Sequence, residues 1–432
     1  MPAAPFLSIG ELHALFLECQ GTCTDTRKVT PGSMFFGLKG PNFNANVYAA
    51  EALAKGCRMA VVDDASVVVD ERFLLVPDVL KALQDLGLHH RRQFNIPVIG
   101  ITGSNGKTTT KELMHAVLAA DRPTLATSGN LNNHIGVPLT LLNLIKEHRI
   151  AIIEMGANKV GDIAELVSIA EPTHGLITNI GRAHLEGFGS YDGVVIAKTE
   201  MYAFIRAHGG TLFVNADDHL LMEKSSATKR VIYGRSPEAD TSGDTTSKGP
   251  FMAFVFAGRD GQAYHVTTRL IGDYNLSNAL AAVAIGQFFG VPDQRIAEAI
   301  TAYTPSNNRS EFRETGRNQL VLDAYNANPT SMAAALRNFA SIVTDRPKLA
   351  ILGDMLELGT ESRAEHHAIV ALCKELGIAA RYVGPEFQRS SDHTYPDAAS
   401  LLAALRKVPL TGHLLLVKGS RGIKLETLLD AL

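Results

Sequence analysis

Gly100-Ile101-Thr102-Gly103-Ser104-Asn105-Gly106-Lys107-Thr108-Thr109-Thr110 is the stretch on which the reading of the whole chain turns. It follows an apolar, β-branched run, Ile96 to Thr102, and leads into a helical pattern, Lys107 to Ala120, that is stopped by Pro123. A strand feeding a glycine-rich turn and then a helix sets successive backbone N–H groups, and the positive end of the helix, against an anion. Gly103, Ser104, Asn105 and Gly106 form the cradle, Lys107 neutralises the outer phosphates of a nucleotide, Thr108 is placed to ligate Mg²⁺, and Thr109 shares the same first turn. The strict phosphate-loop pattern asks for glycine at position 101, where this chain has Ile101, and Gly100 is displaced by one. A glycine turn with an incidental lysine is the plain alternative. The strand before and the helix after favour nucleotide binding.

Outward from that loop, short apolar runs alternate with amphipathic segments, the pattern of a mostly parallel sheet covered by helices. Arg149 to Glu154, Gly175 to Ile180 and Thr211 to Asn215 read as strands, and Gly161 to Ala170 and Tyr191 to Ala207 as helices. Phe251 to Ile271 reads as β-rich around a hairpin turn at Gly258-Arg259-Asp260-Gly261, and Asn275 to Phe289 returns to helix. Ser236 to Gly243 has turn formers and no period, so a loop is expected there. Pro305-Ser306-Asn307-Asn308 marks a boundary. Beyond it Gln319 to Ala324, Lys348 to Gly353, Ala380 to Gly384 and His413 to Lys418 read as strands, separated by helices such as Ser331 to Val343 and Ser362 to Leu376. Before the loop, Ala49 to Lys55 reads as helix and Arg58 to Val62 as strand. The expected fold is α/β in three domains: a small N-terminal α/β domain (1–95), a central doubly wound phosphate-loop domain (96–305) and a C-terminal Rossmann-like domain (306–432).

Composition narrows the partners. With 432 residues the chain exceeds what one core serves, and a net charge of -3 with no polybasic tract argues against nucleic acid and membrane surfaces. No window approaches the ~20 apolar residues of a membrane span, and Met1 to Ile9 lacks the features of a signal peptide, so the cytoplasm is the expected compartment and membrane insertion is not expected. Cys19, Cys23, Cys57 and Cys373 are too few and too scattered for a disulfide framework or a zinc site; buried free thiols are expected.

Two groups downstream stand where a bound nucleotide needs them. Glu154 closes the apolar run Ala151-Ile152-Ile153, and a carboxylate at the carboxyl end of a buried strand faces the ligand crevice of such sheets. His184 follows the strand that ends at Ile180. Each alone is more often a satisfied structural residue, but with Thr108 they make a candidate set for a divalent metal.

These stretches, together with others along the chain, resemble the ATP-dependent Mur ligases of bacterial cell-wall synthesis. The resemblance runs through Thr102 to Thr108, Gly129-Asn130-Leu131-Asn132-Asn133-His134-Ile135-Gly136-Val137-Pro138, Glu154-Met155-Gly156-Ala157 and Ala183-His184-Leu185-Glu186. It continues through Ala197-Lys198-Thr199-Glu200, Asn275-Leu276-Ser277-Asn278-Ala279, Asp323 to Pro329, Leu352 to Gly359 and Lys418-Gly419-Ser420-Arg421, and so covers essentially the whole chain. It implies that the γ-phosphate of ATP goes to a substrate carboxylate, which then accepts an amine. The implied acceptor is the terminal carboxylate of UDP-MurNAc-tripeptide and the implied amine that of D-alanyl-D-alanine.

By the same resemblance Thr108 and Glu154 match one Mg²⁺ site and His184 a second, Asn275 lies near the adenine, and Arg309 and Asp323 reach the γ-phosphate and the ribose. A strand-end cap is the plain alternative for Asp323, and a solvated linker charge for Arg309. Lys198 matches a lysine that the family carbamylates with carbon dioxide, which turns a cation into a metal-binding anion; a surface lysine paired with Glu200 is the plain alternative. Thr24-Asp25-Thr26-Arg27 and Phe36-Gly37-Leu38-Lys39-Gly40 resemble the segments that bind uridine diphosphate, which makes Thr26, Arg27 and Lys39 substrate candidates, with Asn132 and Asn133 from the middle motif. Relatives often have Asp-Gly-His where this chain has Asn44-Ala45-Asn46. A monomer is expected. Another amino-acid-adding ligase of the superfamily, including one that adds the third stem residue or a folylpolyglutamate synthase, and a nucleotide switch that hydrolyses ATP without ligating, remain as alternatives.

Overall fold

The computed structural model describes residues 6–246, 250–305 and 311–432. By the density of its contacts the chain divides into two compact units, Met1–Gly100 with Arg122–Gly156 and Asp162–His174, and Ile101–Asp121 with Ala157–Gly161 and Gly175–Leu432.

Six short strands open the chain: β1 (Thr22–Cys23), β2 (Met34–Phe36), β3 (Lys39–Gly40), β4 (Phe43–Asn44), β5 (Met59–Val62) and β6 (Phe73–Leu75). A parallel sheet runs β1-β2-β5-β6, and β3 and β4 form a separate antiparallel ribbon. Because side chains alternate along a strand, Met34, Phe36 and Val61 join one core with Leu12, Phe16, Leu83 and Leu86, while Phe35, Ala60 and Val62 join another with Ala49, Ala52 and Leu53. Helices therefore cover both faces. Ile9–Leu17 is closed by a Ser8/Glu11 capping box, and Val79–Arg91 by the Asp78 side chain, which accepts from Lys81 N–H.

Nine strands follow: β7 (Val98–Thr102), β8 (Thr124–Ala126), β9 (Ile150–Glu154), β10 (His174–Ile177), β11 (Thr211–Asn215), β12 (Lys229–Gly234), β13 (Thr241–Thr245), β14 (Phe251–Ala257) and β15 (Ala263–Ile271). Their order is β15-β14-β13-β12-β11-β10-β7-β9-β8. The pairs β8–β9, β11–β12 and β12–β13 are parallel, and β13–β14–β15 is an antiparallel extension. The order reverses around β7, which comes first of these nine in the chain and lies inside the sheet. Val98, Ile99 and Ile101 on β7 are fully buried, each contributing about 1.5–3 kcal/mol of apolar burial.

The last sheet contains β16 (Glu311–Glu314), β17 (Gln319–Leu322), β18 (Lys348–Gly353), β19 (Ala379–Val383), β20 (Thr394–Tyr395) and β21 (Leu414–Lys418), ordered β16-β17-β21-β18-β19-β20. Only its β16–β17 pair is antiparallel. Leu320, Leu322, Ile351, Leu415 and Val417 form its core with Leu401 and Leu405 of the helix Ala398–Lys407.

The hairpin expected at Gly258 to Gly261 forms, with Gly258 N–H donating to Gln262 O at 2.8 Å. The loop expected over Ser236 to Gly243 does not extend that far: its end is β13, which pairs with β12 on one side and β14 on the other. Its residues are polar, and Thr241 is buried by a hydrogen bond from its hydroxyl to Gln287 Oε1 (2.6 Å), so no apolar period announces it. Cys23, Cys57 and Cys373 are buried free thiols, but Cys19 is only half-buried. No helix among the described residues is long and apolar enough to cross a membrane.

Candidate active site

The phosphate loop is built where β7 ends and the helix Lys107–Ala119 begins. Two glycines make the turn possible. Gly103 sits at φ 139° and a Cβ there would stand 2.0 Å from Thr178 Oγ1; Gly106 sits at φ 79° and its Cβ would stand 2.6 Å from Asn278 Oδ1. Position 101 needs no glycine, because it lies within the buried strand, before the turn starts. The loop is fastened to the segment after β10 by Ser104 N–H to Asn179 O (3.0 Å), Ser104 Oγ to Gly181 O (3.1 Å), Asn105 N–H to Asn179 Oδ1 (3.1 Å) and Thr178 Oγ1 to Asn105 O (2.6 Å). Lys107 reaches back over the turn, its Nζ donating to Gly103 O at 2.7 Å. Lys107, Thr108 and Thr109 stand in the first turn of that helix, whose N–H groups have no intrahelical acceptor, beside that cation.

Glu154 is the last residue of β9 and is 1% exposed; Asn132 Nδ2 donates to its Oε1 at 2.9 Å, and its own N–H donates to Thr127 Oγ1 at 2.9 Å. Asn133, by contrast, directs its Oδ1 to the N–H groups of Ile135 and Gly136, capping the helix Gly136–Leu141. His184 has left-handed backbone, φ 54°, and its Nδ1 meets Glu357 Oε2. Burial pushes its proton affinity down; Glu357 opposes that, and the positive charges of Lys107 and Lys198 add to it. Lys107, His184 and Lys198 thus gather within electrostatic reach of one another. Lys198, in the helix Tyr191–Ala207, is 2% exposed, with its ammonium 5.4 Å from the centre of the Phe188 ring.

Asn275 is 1% exposed; its Nδ2 donates to Ile271 O (2.8 Å) and its Oδ1 accepts from Asn278 Nδ2 (2.9 Å), while Asn278 Oδ1 accepts from Thr110 (3.0 Å). This chain of amides ties the region after β15 to the phosphate-loop helix. Asp323 follows β17, beside the end of β21, and its carboxylate accepts from Lys418 Nζ at 2.5 Å. Asn328 Nδ2 donates to Asn105 Oδ1 at 2.7 Å. Arg309 lies outside the described residues, as do Ser306, Asn307 and Asn308 of the expected boundary.

In the N-terminal unit, Arg27 pairs with Asp25, whose carboxyl is held at about 2 by the Arg27 side-chain and backbone hydrogen bonds. Lys55 Nζ donates to Thr26 O at 3.0 Å. Lys39 pairs with Asp63 at 2.8 Å. Burial raises the Asp63 carboxyl, but donors from Lys39, Asn46 and Val79 outweigh it and leave it below its ordinary value. Asn46, in the stretch that departs from the usual Asp-Gly-His, exchanges bonds with Asp63: Nδ2 to Oδ1 at 2.8 Å, and Asp63 N–H to Asn46 Oδ1 at 2.9 Å.

Comparison with known proteins places the chain in a family. The family model of the Mur ligase middle domain matches residues 101–286, and that of the Mur ligase glutamate ligase domain matches residues 308–421. The UDP-N-acetylmuramoyl-tripeptide–D-alanyl-D-alanine ligase of Escherichia coli is 36% identical over 439 residues, 98% of this chain and 96% of its own. The chain belongs to the Mur ligase family. Its fold is that of MurF crystal structures: the one from Acinetobacter baumannii superposes with a TM-score of 0.86 at 31% identity, covering 100% of this chain and 99% of that one. MurF ligase from Thermotoga maritima, in complex with ADP, gives 0.83 at 25% identity, covering 96% and 97%.

Mur ligases are ATP-dependent ligases, and the donors here fit the nucleotide's cation. Among the described residues no three His, Cys, Asp or Glu side chains converge as a self-sufficient metal site. Mg²⁺ ordinarily takes one or two protein oxygens and completes its shell with phosphates and water, and the Thr108 hydroxyl and the Glu154 carboxylate, each within its own unit, are oxygen donors of that kind. The sequence reading gave no role to Thr178, Asn179 and Asn278, which hold the phosphate loop, or to Lys418 and Glu357, which grip Asp323 and His184. All five stand in or beside stretches that carried the Mur ligase resemblance, but their partners are 73 to 173 positions away, beyond any local period.

Proposed function

We propose that this Mur ligase joins D-alanyl-D-alanine to UDP-MurNAc-tripeptide at the expense of ATP, giving the UDP-linked pentapeptide precursor of peptidoglycan, ADP and phosphate. The observation that carries the reading is the end-to-end match to a ligase of that name, 36% identical over 98% of the chain. A carboxylate resists attack by an amine because its charge is delocalised. One of its oxygens therefore attacks the γ-phosphorus, the bond to ADP breaks, and an acyl phosphate forms. The free amine of D-alanyl-D-alanine then attacks the acyl carbon, phosphate departs, and the amine nitrogen gives up a proton.

Lys107 and the first-turn N–H groups hold the phosphates in line and offset their charge, so catalysis is mainly positioning and electrostatics. Thr108, Glu154, His184 and Lys198 are the groups proposed to hold Mg²⁺, which supplies positive charge against the phosphates. Lys198 is proposed to act as its carbamate: the neutral amine adds to CO₂ and releases a proton, giving an anionic oxygen donor. Its burial at 2% exposure supports a role inside the site over a solvated surface lysine. Asn275 is proposed at the adenine end, Arg309 at the γ-phosphate and Asp323 at the ribose. Thr26, Arg27 and Lys39 are proposed to bind the UDP portion and Asn132 and Asn133 the peptide portion of the substrate, within domains bounded at 95/96 and 305/306. The chain is further proposed to work as a monomer in the cytoplasm.

ADP release measured with a panel of acceptors tests the assignment. Turnover is expected with UDP-MurNAc-tripeptide only when D-alanyl-D-alanine is present. Turnover with UDP-MurNAc-dipeptide or a folate and a single amino acid would move the chain to another branch of the superfamily, and turnover independent of any amine would make it a switch.

A further inference from the structure

Glu357 has no place in the scheme so far, yet it is the carboxylate that reaches the His184 ring, at Nδ1. The contact is built with care for geometry. His184 and Glu357 both hold left-handed backbone, φ 54° and 65°, in a molecule where only two other non-glycine residues among those described do so, Glu171 and Lys424. Such conformations cost energy and persist where the surroundings enforce them, often at functional sites. Here the two segments are also joined by main chain, Glu186 N–H donating to Glu357 O at 3.3 Å. Two further links fasten the same loop: Arg182 N–H to Thr330 Oγ1 at 3.3 Å, and Arg182 Nη1 to Glu365 Oε1 at 2.7 Å. The imidazole is therefore held at a fixed angle by a segment more than 170 residues away in sequence.

An imidazole whose Nδ1–H is donated to a carboxylate has its remaining lone pair on Nε2. A carboxylate behind a ligating histidine fixes tautomer and ring direction, and its loss typically costs 10- to 100-fold in metal affinity or activity. We propose that Glu357 is a positioning residue, which holds His184 as the Nδ1–H tautomer so that Nε2 is the atom offered to the nucleotide's metal ion. The inference rests on the assignment of His184 to that ion. A simple latch between segments is the competing account: it would affect melting but neither tautomer nor metal linkage.

The experiment uses the full-length protein with ring-¹⁵N histidine, and the His184 signal is assigned by its loss in His184→Gln. In the nucleotide-free protein the long-range proton–nitrogen spectrum should show Nδ1 protonated and Nε2 bare. Calorimetry of ADP with and without Mg²⁺ gives the second readout. Glu357→Gln, whose amide oxygen still accepts the N–H, should keep the tautomer and stay within about threefold of wild type in the Mg²⁺ enhancement of ADP affinity. Glu357→Ala should move the ring toward Nε2–H and cut that enhancement by about 10- to 100-fold. A wild-type ring protonated at Nε2, or a Glu357→Ala protein that melts lower with tautomer and Mg²⁺ enhancement unchanged, overturns the proposal. Neither readout needs ligation, so failure of the acceptor assay would leave it standing and failure here would leave the ligase reading intact.

Discussion

The phosphate loop and the segments proposed to bind uridine diphosphate are both short polar stretches at strand ends, but they are held in opposite ways. Ser104 and Asn105 bind backbone and side-chain groups of Asn179 and Gly181, and Gly103 and Gly106 leave no room for a Cβ. Arg27, by contrast, has a side chain 85% exposed and, among the described residues, pairs with Asp25 two residues away. The loop's chemistry is written into backbone conformation, which few residues satisfy; the other segment's chemistry depends on exposed side-chain tips, which more residue types could supply. That is why a motif was readable in one place and only a likeness in the other.

The comparison is broken most directly at Lys107. Lys107→Ala should lower ligation by about 1,000-fold or more while circular dichroism and melting stay near wild type, because it removes a charge-assisted phosphate contact and leaves the turn intact. Near-normal turnover by the folded variant would show that the loop's cation is incidental. Next in size is Lys198→Ala, with a loss of about 100-fold that small carboxylic acids such as acetate partly restore by replacing the missing anionic donor. Activity untouched by the substitution would return Lys198 to a structural role.

Gly103→Ala tests the backbone half of the contrast. A Cβ at φ 139°, 2.0 Å from Thr178 Oγ1, has to displace a strand-end hydroxyl that also serves Asn105 O, so unfolding free energy should drop by about 2 kcal/mol or more in urea melts. An unchanged midpoint would mean that the turn is not constrained as described. The smallest effects belong to the N-terminal unit. Lys39→Ala should raise KM for the UDP substrate about tenfold with kcat within about twofold, the signature of lost uniform binding. Arg27→Ala should barely alter melting, since its ion pair is exposed. A larger fall in kcat than in affinity from Lys39→Ala would place that lysine nearer the chemistry than the contrast allows.

The same distinction explains what the sequence disclosed. Ile96 to Thr102 and Lys107 to Ala120 were readable as strand and helix because burial imposes an apolar period, and they appear as Val98–Thr102 and Lys107–Ala119. The strand Thr241–Thr245 was hidden because its buried threonine is satisfied by Gln287, with no apolar signal. His184 could be picked out by position and Asp323 through the family resemblance, but Lys418 and Glu357 could not be paired with them, because those contacts are set by sheet order and by two left-handed residues. Asn133 carries a family motif and yet its side-chain oxygen caps a helix, which motif reading alone cannot distinguish from substrate contact.

The central claim is that the phosphoryl group passes through the substrate carboxylate, and isotope transfer tests it without reference to any mutant. UDP-MurNAc-tripeptide carrying ¹⁸O in its terminal carboxylate is turned over with ATP and D-alanyl-D-alanine, and the released inorganic phosphate is analysed by mass. The account predicts one carboxylate-derived oxygen in the phosphate for each pentapeptide formed. Phosphate free of label, with ADP still released at the same rate, would contradict it.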